Sequence, residues 1–151
     1  MRLFLGLVAA FFLVQAPAGI AEAKSPVSKA QISDILSQKG YSVRDYDSNK
    51  LAVSAGDQVV MIVVDGSDGD ISYITWLTGL TIQQVGHPFL SKFNSEVKFG
   101  RAYVDRDGDI TIQMDRNAAG GVSVQNVASD FDVFLLLVSK FLSDLQSRAS
   151  A

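Results

Sequence analysis

The chain has 151 residues, 48% of them hydrophobic and 19% charged, with a formal net charge of −3 and no cysteine. That length supplies one hydrophobic core rather than two. The 13 Lys and Arg residues are scattered, which argues against a nucleic-acid surface, and the missing thiols leave no disulfide and no ligand set for a structural zinc.

The first segment, MRLFLGLVAAFFLVQAPAGIAEA, runs from Arg2 through apolar Leu3–Val14 to Ala21-Glu22-Ala23. A positive start, an apolar middle and an A-x-A end are the order of a secretory signal. Gln15 and Pro17 cut the run short of the roughly 20 residues a membrane span needs. Residues 1–23 are therefore expected to be a signal peptide cleaved after Ala23. Residues 24–151 should form a single domain, soluble in the periplasm or secreted, with no membrane span after cleavage.

Ser28 opens the first helix. Gln31 completes a capping box, Val27 and Ile32 form a staple, and Ile32, Ile35 and Leu36 make the buried stripe up to the stop at Gly40. Residues 41–46 read as a strand, followed by a Ser48-Asn49 turn. LAVSA alternates Leu51, Val53 and Ala55 on one face. QVVMIVVD is apolar on both faces, so it is expected to be central and covered at least in part on both sides. After the turn-rich DGSDGD (65–70), ISYITWL sets Ile71, Tyr73, Thr75 and Leu77 against Ser72, Ile74 and Trp76. A short helix is expected from about His87 to Glu96, with Pro88 in its first turn and Phe89, Leu90 and Phe93 on its apolar face.

RAYVDRDGDITIQMD (101–115) places Asp105, Asp107 and Asp109 around Gly108, as a calcium loop might. An EF-hand loop starting at Asp105 would need glycine at its sixth position and a bidentate acid at its twelfth. Ile110 and Arg116 stand there instead. A three-residue hairpin loop, Arg106-Asp107-Gly108 with Gly108 left-handed, fits better. Asp105 then heads a type I turn. Val104 comes opposite Ile110 and Ala102 opposite Ile112, leaving one face wholly apolar. A two-residue loop would slip the register and mix the faces.

The last helix starts at Ser123, with Val122 and Val127 as its staple. Its VFLLLV run, residues 133–138, wraps more than one turn, so it cannot be apolar on one side only. Val127, Phe131, Phe134, Leu135, Val138, Leu142 and Leu145 form the stripe expected to face the sheet. Val133, Leu136 and Leu137 lie off it. Burying those three would contribute roughly 4–9 kcal/mol, so something should cover them. The cover is either the chain's own first or second helix, or a second subunit or client segment. With Trp76, these three are the candidate partner-binding residues.

Chemistry is otherwise sparse. His87 is the single histidine, no G-x-S-x-G elbow is present, and Glu96 is the single glutamate beyond the signal segment. The dense aspartates fall in turns, and the paired glycines lack the lysine of a phosphate loop. No catalytic, cofactor-binding or metal residue is assigned.

FNSEVKFGRAYVDRDGDITIQMDRNAAGGVSVQNV, with the order of elements around it, resembles the bacterial YbjN-domain family from about Val27 to Leu145. Phe93-Asn94, Lys98 to Tyr103, the Asp-Gly hairpin and the long last helix carry the resemblance. Phe93 stands where the family often has tryptophan and Lys98 where it often has arginine, both keeping the chemical type. Many exported members carry two cysteines around the loop that is DGSDGD here, so no disulfide role transfers. The family is one of sensory-transduction regulators. The resemblance implies an α+β fold like that of type III secretion chaperones: an antiparallel sheet with helices packed on it, in the order α-β-β-β-β-α-β-β-α, often dimeric. It brings no catalytic residues. The expected function is a non-enzymatic exported binding or regulatory domain, chaperone-like or a sensory partner, with a protein partner or homodimer and no nucleic acid. A small periplasmic hydrolase or a structural envelope protein are the alternatives.

Overall fold

The computed structural model describes residues 25–150; the expected signal peptide lies outside the described residues. Ten elements follow in chain order: α1 (Lys29–Gln38), β1 (Ser42–Asp47), β2 (Lys50–Ala55), β3 (Gln58–Asp65), β4 (Asp70–Thr81), α2 (Ile82–Val85), α3 (His87–Glu96), β5 (Gly100–Val104), β6 (Asp109–Arg116) and α4 (Val124–Ala149). The fold is α+β, as expected, with one short helix, α2, added ahead of α3. The strands form one six-stranded antiparallel sheet in the order β1-β2-β3-β4-β6-β5.

Local signals place the elements. Ser28 and Ser123 each cap their helix through a capping box, with Gln31 and Asn126 as partners. Pro88 sits in the first turn of α3, where its missing N–H leaves no bond unmade. The β5–β6 hairpin has the register the hydrophobic pattern demands, Val104 opposite Ile110 and Ala102 opposite Ile112. Gly108 is left-handed at φ +90°. One Asp105 carboxylate oxygen accepts from the main-chain N–H of Asp107 (3.0 Å) and Asp109 (3.1 Å), and the other from the Thr111 hydroxyl (2.9 Å). The stretch is a hairpin whose aspartate is occupied by its own turn.

The core lies between one face of the sheet and three helices. Leu51, Val53, Val60, Ile62, Ile71, Tyr73, Ile110 and Ile112 point into it and are buried. Helix α4 crosses this face. Phe134 stacks on Tyr73 with ring centroids 6.0 Å apart, and the Tyr73 hydroxyl donates to the Val127 carbonyl at 3.1 Å. Burial pushes the Tyr73 phenol well above its ordinary pKa, so it stays neutral and remains a donor. On one flank of α4 stands α1, tied by Lys39 to Asp132 at 2.8 Å. On the other stands α3, whose Phe89 and Phe93 meet Phe141 edge-on at 5.2 and 5.1 Å. The edge strand β5 is closed by a side chain. Asn94 donates to the Ala102 carbonyl and accepts from the Ala102 N–H (2.9 and 2.8 Å), which takes the middle of that edge away as a template for another strand.

Candidate functional site

The four candidate residues fall on opposite sides of the molecule. Val133, Leu136 and Leu137 belong to α4, and successive helical residues point about 100° apart. The side of α4 that meets the sheet is Val127, Phe131, Phe134, Val138 and Phe141. Phe141, not Leu142, completes that line, and Leu142 is exposed. The expected stripe was therefore turned slightly toward α1, whereas the helix turns toward α3 and β5.

That rotation corrects the assignment of Leu137, which is only 8% exposed and belongs to the core cluster. It packs against Gly100: a Cβ there would lie 2.6 Å from Leu137 Cδ1. A side chain that fills the space over a glycine is not available to a partner. Val133 is half-buried at a hollow of about 390 Å³ that it shares with Phe99, Arg116 and Asp130. Leu136 alone stands out from the helix, 69% exposed. The cover over Leu137 is thus the strand β5, through Gly100, rather than the first or second helix, while Val133 is half-buried and Leu136 is left exposed.

Beside Val133, Phe99 is 76% exposed and holds φ +70°, the only left-handed residue other than glycine among the described residues. For a bulky residue this conformation costs on the order of 1–3 kcal/mol. Sequence reasoning passed over Phe99, because nothing in a Lys-Phe-Gly run signals a backbone constraint.

Trp76 lies across the sheet from α4. In β4 it alternates with Leu77, which faces the core, so Trp76 points to the face that, among the described residues, no helix covers. The expectation that β3 would be covered on both sides holds for one side only. On the open face Met61 is sheltered by its neighbours, while Val59 is 49% and Trp76 41% exposed. Val63 and Ile74 continue the apolar strip, with Met61 directly opposite Ile74.

Toward β5 the same face becomes polar. Asp115 accepts from Ser72 (2.7 Å), Gln113 (2.7 Å) and Arg101 (2.8 Å), and the Tyr103 hydroxyl donates to Gln113 (2.8 Å). Partial burial pushes the Asp115 carboxyl up, but Ser72, Gln113 and Arg101 together hold it below its ordinary value. The open face is thus an apolar strip bordered by a closed hydrogen-bond network. The strip ends in a hollow of about 490 Å³ between the start of β3 and the far end of β4, with Val59 and Trp76 in its walls.

A third hollow, about 500 Å³, lies between α3 and the end of α4 over Phe89 and Phe93. Its rim charges satisfy one another, Lys92 with Glu96 and Lys140 with Asp144. His87 is the first residue of α3. Among the described residues no cluster of three or more His, Asp or Glu side chains is arranged to hold a metal, and no helix is long and apolar enough to cross a membrane.

Residues 28–147 match the YbjN family, whose description reads "Putative bacterial sensory transduction regulator". Among solved structures, the chain is similar to a crystal structure described as "YbjN, a putative transcription regulator from E. coli", with a TM-score of 0.58 and 17% identity. The match covers 80% of this chain and 89% of that one, and at such identity it speaks to the fold. No curated protein matches the chain.

Proposed function

Because the chain belongs to the YbjN family, we propose that it is a non-enzymatic regulatory domain, exported to the periplasm, that acts by binding another protein through the open face of its sheet. One observation carries this reading. Three helices seal one face, yet the other leaves Val59 and Trp76 about half exposed at the end of an apolar strip. Contiguous exposed apolar surface of this kind marks partner sites, and aromatic anchors commonly carry their binding energy.

The same surface supports a secretion-chaperone-like or sensory-partner role, since either needs a face that receives another polypeptide. Regulation by protein contact also suits the charge. The net charge is −3, and Arg101 and Arg116 are each held by an aspartate, Asp115 and Asp130, which keeps these two from neutralising phosphates. Export rests on Arg2, the apolar run and Ala21-Glu22-Ala23, and N-terminal sequencing of the processed protein should begin at Lys24.

The test of binding is capture from the periplasmic fraction with tagged wild type, Trp76→Thr and Leu136→Asp. Threonine keeps the strand propensity of position 76. A protein retained by wild type and Leu136→Asp but lost by a folded Trp76→Thr supports the open face. Retention by all three contradicts it.

A further inference from the structure

The ladder between β3 and β4 runs from Asp65↔Asp70 to Met61↔Ile74 and stops there. Neither strand ends at that point. β2 continues to pair with β3 down to Ala55↔Gln58, and β6 continues to pair with β4 up to Leu77↔Ile110. Gln58 to Val60 on one side and Thr75 to Leu80 on the other therefore run on with no rung between them. The sheet is split from one end.

Two details show how the split is kept. At its head the Thr75 hydroxyl donates to the Val59 carbonyl at 2.9 Å, so a side chain serves an acceptor that a continued ladder would serve with main chain. Farther along, β4 breaks register between Leu77 and Thr81. Gly79 turns left-handed there at φ +82°, and its N–H is held by the Asp109 carboxylate at 3.2 Å. The hollow of about 490 Å³ lies in this gap, walled by Gln58, Val59, Trp76, Leu77, Thr78 and Leu80.

Main-chain donors and acceptors along a free strand edge seek a partner strand. The run of β3 beyond the ladder is three residues, about 10 Å at ~3.3 Å per residue, which suits a short extended segment. Its Val59 carbonyl is already held by Thr75, so the main-chain groups left to a partner are chiefly those of β4 past Thr75. The one charged side chain lining the hollow is Asp57. The β5–β6 turn at the same end of the sheet adds Asp105, Asp107 and Asp109 against Arg106 alone.

We infer that the gap between β3 and β4 receives an extended basic segment of a partner protein. Its main chain pairs with the free strand edges, an apolar side chain lies against Val59 and Trp76, and a Lys or Arg sits beside Asp57. This is strand addition, and it rests on the open face being the binding surface.

Trp76 is the only tryptophan in the chain, so its emission reports directly on the gap. The probes are three capped synthetic hexapeptides: Lys-Val-Thr-Val-Lys-Val, the same peptide with Glu for Lys, and the Lys peptide N-methylated at alternate amides. The Lys peptide should shift Trp76 emission to the blue and saturate. The Glu peptide should bind about tenfold more weakly through like-charge repulsion. The N-methylated peptide, with two or three hydrogen bonds lost, should also bind about tenfold more weakly. Asp57→Lys, in an exposed turn, should reverse the order of the Lys and Glu peptides. Equal binding of the N-methylated peptide would show apolar adhesion and overturn strand addition; so would no response to any peptide. A wild-type dimer in sedimentation that is lost in Trp76→Thr would overturn the peptide occupant in favour of a second copy. Failure of the peptides leaves the open-face reading to its own test, capture by wild type against Trp76→Thr.

Discussion

Replacing Leu137 and Leu136 by alanine, one at a time, tests how α4 is seated. The two are neighbours in an unbroken apolar run, yet Leu137 is 8% exposed and Leu136 69%. Truncating a buried leucine costs about 2–5 kcal/mol, depending on how far the site collapses. Leu137 sits over Gly100, which has no side chain to move into the space, and its residual exposure admits some solvent. We therefore expect Leu137→Ala to cost about 2–3 kcal/mol. Leu136→Ala removes atoms already in water and should stay within about 0.5 kcal/mol of wild type. Urea unfolding followed by circular dichroism reads both, with the denaturant slope unchanged so that the midpoint reports stability. Equal losses for the two variants would refute this seating, because Leu136 would then have to be covered by another molecule. A negligible loss for Leu137→Ala would refute its packing on Gly100.

Gly100→Ala should destabilise by about 1–3 kcal/mol, since its Cβ would meet Leu137 Cδ1 at 2.6 Å and the Gln113 carbonyl at 3.1 Å. A double-mutant cycle with Leu137→Ala should recover about 1 kcal/mol of that loss, and strict additivity would count against the contact. Partial burial raises the Asp105 carboxyl, but Thr111 and the N–H groups of its turn lower it further, so its folded pKa is depressed. Its stabilisation is then complete above the unfolded pKa of about 3.9 and is lost as pH falls through the folded value. Asp105→Asn should flatten the acid side of the stability curve; an unchanged curve would show that the turn does not hold the charge. Because Asp105 and Asp109 already serve their own turn and Gly79, millimolar calcium should leave the melting curve unmoved. A shift of several degrees that vanished in Asp109→Ala would contradict this.

Much of the fold was legible because local rules and the apolar pattern agree. The hairpin could take only one register without mixing faces, and Ser28, Ser123, Gly40 and Pro88 mark helix ends through backbone chemistry that any context would respect. The phase of α4 was less legible. With six apolar residues in succession, any of several faces would serve, and it is Gly100 and Phe93, elsewhere in the chain, that select Leu137 and Phe141. The site was harder still. Alternation places Trp76 and Val59 opposite the core, but it cannot say whether a second layer covers them. Nor does a period of two reveal that the β3–β4 ladder stops at Met61↔Ile74, since both strands keep alternating past the break.

The central claim, that the open face is where this domain meets another protein, is tested most directly by a photo-crosslinking amino acid placed at position 76 or 136 in living cells. The same partner should be trapped repeatedly from position 76, and position 136, more exposed but on the helical side, should trap none. Trapping from position 136 alone would place the partner on α4 and contradict the account.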